Sequence, residues 1–173
     1  MTSTAPEFSH DGFDRVRQHL QARGHPYPAQ WLTTPARTCQ EAAEALGLQT
    51  GQIAKSVIFK RKSDGRAVLV VAAGDQRVDE KKVAALVGPI GRADADFVKT
   101  QTGFSIGGVS PVAHLHPPVT LLDDTLFRFS EVWAAAGHPN GVFRCSPADL
   151  LQLTGLAAAA DVAQQPQTSS PRP

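Results

Sequence analysis

The chain is poor in aromatic residues. Phe, Trp and Tyr make up 6% of its 173 residues, and Tyr27 is the single tyrosine. Stacking successive bases on several exposed rings is therefore not how it would hold a nucleic acid. An excess of one charge is also lacking: Lys plus Arg number 17 and Asp plus Glu 16, a formal net charge of +1. That balance excludes a histone-like protein held to nucleic acid by bulk charge, but leaves room for a small, shaped site for one end of an RNA. Cysteine is scarce. Cys39 and Cys145 are far apart and form no CxxC pair, which argues against a disulfide framework or a structural zinc site. The first ten residues carry no apolar stretch of the signal-peptide kind, and no apolar run approaches bilayer-spanning length. A cytoplasmic protein without membrane contact is the expectation.

What is present points to one folded domain. Hydrophobic residues reach 42%, too many for a disordered chain, and the length fits a single core. The domain is expected over residues 8–160, with 1–7 and the Pro/Gln/Ser-rich 164–173 as flexible tails. Ser9 is placed to cap a helix carrying Phe13, Val16 and Leu20 on one face, ended by Gly24. Thr38 and Glu41 form a capping box before an alanine-rich helix that stops at Gly47. Residues 55–60 and 66–73 read as strands joined by the turn residues Ser63, Asp64 and Gly65. Asp79 and Asp94 are caps for short helices ended by Gly88-Pro89 and Gly103. Residues 119–123, 126–129, 132–136 and 142–145 read as further short strands. Ser146 then caps a last helix with Pro147 at its first position. Grouped strands with irregularly interleaved helices predict a mixed α/β fold: a largely antiparallel mixed sheet surrounded by short helices.

Three features could carry chemistry. Lys55 shares a strand face with Ile53, Val57 and Phe59. A lysine among apolar neighbours either lies at the strand end and reaches back to water or meets an anion. Gly107-Gly108-Val109-Ser110-Pro111 is a glycine-rich loop. It serves equally as an ordinary turn or as a cradle of backbone N–H donors for an anion or oxyanion. It matches neither GxGxxG nor a P-loop. Gly137-His138-Pro139-Asn140-Gly141 has the composition of a hairpin connection, and it also places an imidazole at a loop tip. His114 and His116 would share a strand face, but no third metal ligand stands near them. Neither cysteine has a histidine nearby in sequence and no Gly-x-Ser-x-Gly elbow is present. Ser110 would be a nucleophile only if a base reached it.

The order of these elements is more specific than any one of them. Lys55-Ser56 after a short helix, then Gly-Phe-x-x-Gly-Gly-Val-Ser-Pro from Gly103, then Val-Trp-Ala-Ala-Ala-Gly-His-Pro-Asn from Val132, resembles the YbaK/prolyl-tRNA synthetase-associated domain family. These are free-standing relatives of the editing domain of bacterial prolyl-tRNA synthetase, and the resemblance runs from about Phe13 to Leu156. It implies that fold and hydrolysis, in trans, of the ester joining a wrong amino acid to the terminal adenosine of a tRNA, in particular the tRNA for proline. The resemblance assigns Lys55 to the backbone or phosphate of the terminal nucleotide and Ser56 to the adjoining pocket. It gives the aminoacyl group to Gly107, Gly108, Val109, Ser110 and Pro111, with Gly137 and His138 beside them. It implies no cofactor and no metal, a ribose hydroxyl of the substrate helping to activate water. The implied partners are the acceptor end of a mischarged aminoacyl-tRNA and a prolyl-tRNA synthetase, with no DNA and no membrane. His138 matches a histidine of the alanine-specific branch, which suggests alanine or serine as the amino acid removed. Ala135-Ala136-Gly137 departs from the Ser-Gly-Gly of the cysteine-clearing branch. The His-x-x-x-His motif of the unrelated zinc-dependent alanyl-tRNA hydrolases is absent. Two other functions compete: a non-catalytic module that docks on tRNA or a synthetase, and a hydrolase of free small esters or thioesters. An intact Lys55 and glycine loop favour the editing hydrolase.

Overall fold

The computed structural model describes residues 10–164. Its first helix, α1 (Asp11–Ala22), buries Phe13, Val16 and Leu20 on one face. His10 stands at its start without a side-chain cap, and Ser9 lies outside the described residues. The chain then crosses a two-residue strand, β1 (Gln30–Trp31). In α2 (Cys39–Leu46) the Thr38 side chain accepts from the Glu41 N–H, the Glu41 side chain accepts in return, and Gly47 closes the helix at φ 70°. A 3-10 turn at Thr50–Gln52 leads into β2 (Ile53–Arg61) and β3 (Ala67–Ala73). After these come α3 (Glu80–Val87), β4 (Ile90–Arg92), α4 (Ala95–Thr102), β5 (Val119–Leu122), β6 (Val132–Ala135), β7 (Gly141–Cys145) and α5 (Pro147–Thr154). Asp79, Asp94 and Ser146 cap α3, α4 and α5 through their side chains.

The seven strands form one sheet in the order β1-β7-β6-β2-β3-β5, with β4 also paired to β2. Most ladders are antiparallel; β2 with β6 and β3 with β5 are parallel. Every residue of β3 is buried, as expected of a central strand covered on both faces. Its Leu69, Val71 and Ala73 join Phe13, Leu20, Phe104, Phe143 and Leu150 in one apolar cluster. Its Val68, Val70 and Ala72 face the other way, onto Phe59, Val83 and Val162.

Two sequence expectations need correction. Residues 126–129 are not a strand: 126–128 belong to a 3-10 turn, Asp124–Arg128, and Phe129 caps its end. The Asp123 carboxylate accepts from both the N–H and the hydroxyl of Thr125, at 2.9 and 2.8 Å, and this local capture outcompetes a ladder. Leu126 is still fully buried, so its apolar character is satisfied from a turn. The packed chain also runs past residue 160. Val162 is fully buried, its carbonyl accepts from Asp79 N–H, and the Gln164 N–H donates to the Arg77 carbonyl. Among the described residues no helix is long and apolar enough to cross a membrane.

Candidate active site

The site lies where the sheet splits. One edge of β2 is paired to β3 from Ala54 to Lys60. The other edge meets β6 only at Ile53 and Ala54, and β4 only from Phe59 to Arg61. Among the described residues, no strand therefore pairs with that edge over residues 55–58. Alternate residues there turn their N–H and C=O away from β3, toward the gap. A cleft of about 320 Å³ opens at this gap, and it is lined by Lys55, Ser56, Val57 and Ile58 from both faces of the strand.

The remaining walls come chiefly from three places. Arg37, Thr38 and Cys39 stand at the entry to α2; Ile106, Gly107 and Val109 come from the loop after α4. Ile53, Trp133, Ala134 and Val142 supply an apolar floor. Trp133 is held there by an indole N–H bond of 2.8 Å to Glu131, which pairs with Arg144 at 3.1 Å. The charged lining is one-sided: among the described residues it contains two cations, Lys55 and Arg37, and no carboxylate or imidazole.

Lys55 is half-buried, and its ammonium donates to the Gln76 carbonyl at 2.7 Å. An ammonium has three N–H donors, so two have no partner among the described residues. The Gln76 turn is itself fixed. Asp75 beside it takes a two-pronged ion pair from Arg128 at 2.8 and 3.1 Å, which holds the Asp75 carboxyl below its ordinary range. The Ser56 hydroxyl is buried and, among the described residues, has no hydrogen-bond partner. Cys39 is a free thiol on the cleft wall; burial pushes its pKa up, against a weaker downward pull from Lys55. It is therefore a neutral wall rather than a nucleophile. Cys145 is free and buried in the core.

The glycine loop is divided in its placement. Gly107 and Val109 line the cleft. Gly107 has φ 98°, a conformation that favours glycine. The Gly108 N–H is used within the loop, on the Ser105 carbonyl at 3.0 Å. Gly108 lies under the His138 backbone, so that a Cβ there would come within 2.8 Å of it. Ser110 and Pro111 are buried and do not reach the cleft. The Ser110 hydroxyl accepts from the Val112 N–H at 3.3 Å, and its carbonyl receives His114 Nε2 at 2.6 Å. Gly137 (φ 85°) packs directly on the Gly12 backbone. His138 also stands behind the wall: its Nδ1 accepts from the Asn140 N–H at 3.0 Å, and its ring packs on Trp31 and His10. Burial, then His10 and Arg37, lower its pKa. His116 is exposed and is not among the residues that line the cleft. Among the described residues no group of three or more His, Cys, Asp or Glu is gathered so as to hold a metal.

A family model described as the aminoacyl-tRNA editing domain matches residues 33–153, which span α2, the split sheet, the glycine loop and α5. The chain belongs to the aminoacyl-tRNA editing domain family. A solved structure described provisionally as a trans-editing enzyme for prolyl-tRNA synthetase is 40% identical to this editing domain. It superposes with a TM-score of 0.83 over 91% of this chain and 99% of its own. The YwhH protein of Bacillus subtilis is 34% identical over 140 residues, 80% of this chain and 88% of that one. EbsC of Enterococcus faecalis, named provisionally as a Cys-tRNA(Pro)/Cys-tRNA(Cys) deacylase, is 27% identical over 119 residues, 68% of this chain and 72% of that one. This editing domain is thus a hydrolase acting on aminoacyl-tRNA, a deacylase.

The fold brings Lys55, Ser56, Gly107 and Val109 together on one cleft. It places Gly108, Gly137 and His138 as packing behind it, and Ser110 and Pro111 in the core. Sequence reading gave Arg37, Cys39 and Trp133 no place in the site, and it missed the unpaired edge of β2. Arg37 adjoins the Thr38 capping box, which was a usable signal because it fixes where a helix begins. The open edge had none, because it depends on which strands fail to meet.

Proposed function

We propose that this deacylase works in trans on a tRNA for proline mischarged with a small amino acid such as alanine or serine, and needs no metal. The carrying observation is the cleft lining: two cations, an apolar floor, and no carboxylate or imidazole among the described residues. Ester hydrolysis needs a nucleophilic water, a place for the developing oxyanion and a way to move a proton. The lining contains no group suited to act as a base at neutral pH, so the proton route is assigned to the substrate. The free hydroxyl of the terminal ribose lies next to the ester and orients the attacking water. The water oxygen bonds to the ester carbon, the bond from that carbon to the ribose oxygen breaks, one proton of the water restores the ribose hydroxyl, and the other is released to solvent. The amino acid leaves as its carboxylate.

The chain's own groups position this reaction. With the Gly108 N–H tied to Ser105, the neighbouring N–H groups of Gly107 and Val109 have no acceptor among the described residues, and they receive the oxyanion. Carbonyls on the unpaired edge of residues 55–58 accept from the substrate's α-ammonium group. Lys55 holds the backbone of the terminal nucleotide. The close apolar floor favours a short side chain, although a pocket separates substrates differing by one methylene only modestly. The relative described for prolyl-tRNA synthetase supports the choice of tRNA. The test is a deacylation panel of the tRNA for proline charged with alanine, serine, threonine, cysteine or proline, with and without a chelator. Alanyl- and seryl-tRNA are cleaved fastest, prolyl-tRNA is spared, and the chelator changes nothing. Failure to cleave any mischarged tRNA at enzyme excess rejects the proposal.

A further inference from the structure

We infer that Arg37 forms a phosphate subsite at the cleft mouth and grips the phosphodiester on the 5′ side of the terminal adenosine. The inference rests on the proposed substrate, and it adds a residue that neither the motif resemblance nor the glycine loop pointed to.

Arg37 is exposed and lines the cleft. Its root is fixed from two sides. The preceding Ala36 N–H donates to the Pro139 carbonyl at 2.8 Å, and its own N–H donates to the Glu41 carboxylate of the capping box at 2.9 Å. Its aliphatic stem lies about equally close to Gly107 as Pro139 does, since a Cβ on Gly107 would sit 3.9 Å from each. Its stem thus stands beside Gly107 of the glycine loop and Pro139 of the His138 loop. Among the described residues no carboxylate pairs with the guanidinium.

The charge pattern gives the ligand class. The whole chain is nearly balanced, with 17 basic and 16 acidic residues. The cleft lining nevertheless contains two cations and, among the described residues, no acid. An unpaired guanidinium on a fixed root is suited to the two free oxygens of a phosphodiester, which it meets with parallel N–H bonds. Lys55 is differently committed, because one of its donors is already on Gln76. The aminoacyl ester occupies the apolar end of the cleft. The first anion the RNA offers outside it is the phosphate of that same nucleotide, and Arg37 is the exposed cation at the mouth.

The test uses a hydrolysis-resistant substrate end: adenosine with alanine amide-linked at its 3′ position, made with and without a 5′-phosphate. Binding of both is measured by calorimetry to the full-length protein and to Arg37→Ala, Arg37→Lys and Lys55→Ala. The native protein is expected to prefer the phosphorylated compound by roughly tenfold. Arg37→Ala abolishes most of that preference and leaves affinity for the unphosphorylated compound unchanged, whereas Arg37→Lys keeps part of it. A native protein with no phosphate preference overturns the inference. So does a preference that survives Arg37→Ala, or an equal loss of affinity for both compounds. Because the readout is binding, it stays separate from the deacylation panel. A protein that binds the phosphate through Arg37 yet cleaves no mischarged tRNA refutes the proposed reaction and keeps the subsite.

Discussion

Gly108 shows how a residue away from the reacting atoms can still decide the site. It does not line the cleft, but the His138 backbone rests on it, at 2.8 to 2.9 Å from where a Cβ would be. Backbone cannot rotate aside as a side-chain tip does. Gly108→Ala should therefore push the glycine loop and the His138 loop apart, costing about 1–3 kcal/mol of stability and most of the deacylation rate. Urea unfolding and single-turnover deacylation check this, and an alanine variant unchanged in both contradicts it. His114 gives a second prediction. Its Nε2 bonds the Ser110 carbonyl, so Nε2 carries the proton, and buried Nδ1 has no partner among the described residues. Burial, the largest influence, lowers its pKa; the Ser110 bond opposes this and Arg15 adds to it. A histidine whose folded pKa is lowered contributes stability above its unfolded value of about 6.5, and that contribution is lost as pH falls below it. The loss is at most about 1.4 kcal/mol per pH unit. His19 is lowered too, by burial and then Arg23, so His114→Gln should flatten the acid limb of a urea-midpoint profile without abolishing it. At this scale the sequence was informative about residue types and poor about where they point. The glycines and Lys55 stood out by pattern. That Ser110 faces the core and Ser56 the cleft depends on the path of a loop and on a gap in a sheet.

At the scale of elements, local signals were strong wherever a side chain closes its own helix. The Thr38–Glu41 box and the caps at Asp79, Asp94 and Ser146 set four helix starts within a few residues of chain. The misses share a different cause. β1 has two residues and β4 three, and both exist because β7 and β2 offer an edge. Tertiary pairing of so few residues leaves no periodicity to read. The Asp123 side chain, which turns residues 124–128 into a 3-10 segment, also accepts from Ala73 N–H at 3.0 Å. It thereby ties that segment to the end of β3, just before the turn whose Gln76 carbonyl holds Lys55. Arg128, at the segment's end, grips Asp75 in the same turn and donates to Thr125 O at 2.6 Å. Both partners of the Arg128–Asp75 pair are about 40% exposed, so the pair itself contributes under about 1 kcal/mol. Its larger effect is on where Lys55 stands. Arg128→Ala should leave unfolding nearly unchanged and lower kcat/KM several-fold, with Arg128→Lys recovering only part because it cannot fork. In a Lys55→Ala background the Arg128 substitution should add little, the non-additivity expected of residues acting as a unit. Full additivity would mean that Arg128 acts by another route.

At the scale of the whole molecule, the near-neutral charge becomes informative once the cleft is located. Composition alone argued against a protein that gathers RNA by bulk charge. The structure adds that its local asymmetry includes two cations at one cleft and no acid among the described lining residues. Attraction to tRNA is then a property of the mouth rather than of the surface, and it can be measured as such. Each phosphate contact to a single strand contributes a slope of about −0.7 in log affinity against log salt. One phosphate, that of the terminal nucleotide, shared by Arg37 and Lys55, predicts a slope near −0.7 for kcat/KM on alanyl-tRNA at subsaturating concentration. Arg37→Ala should make it shallower. A slope of about −4 or steeper would require several more phosphates to be neutralised along the acceptor stem, and would move the main recognition surface away from the cleft. A shallow slope has a kinetic use. An editing enzyme must sample many correctly charged tRNAs and release each one, and a grip confined to the last nucleotide lets the aminoacyl pocket, rather than the RNA, decide which complexes persist.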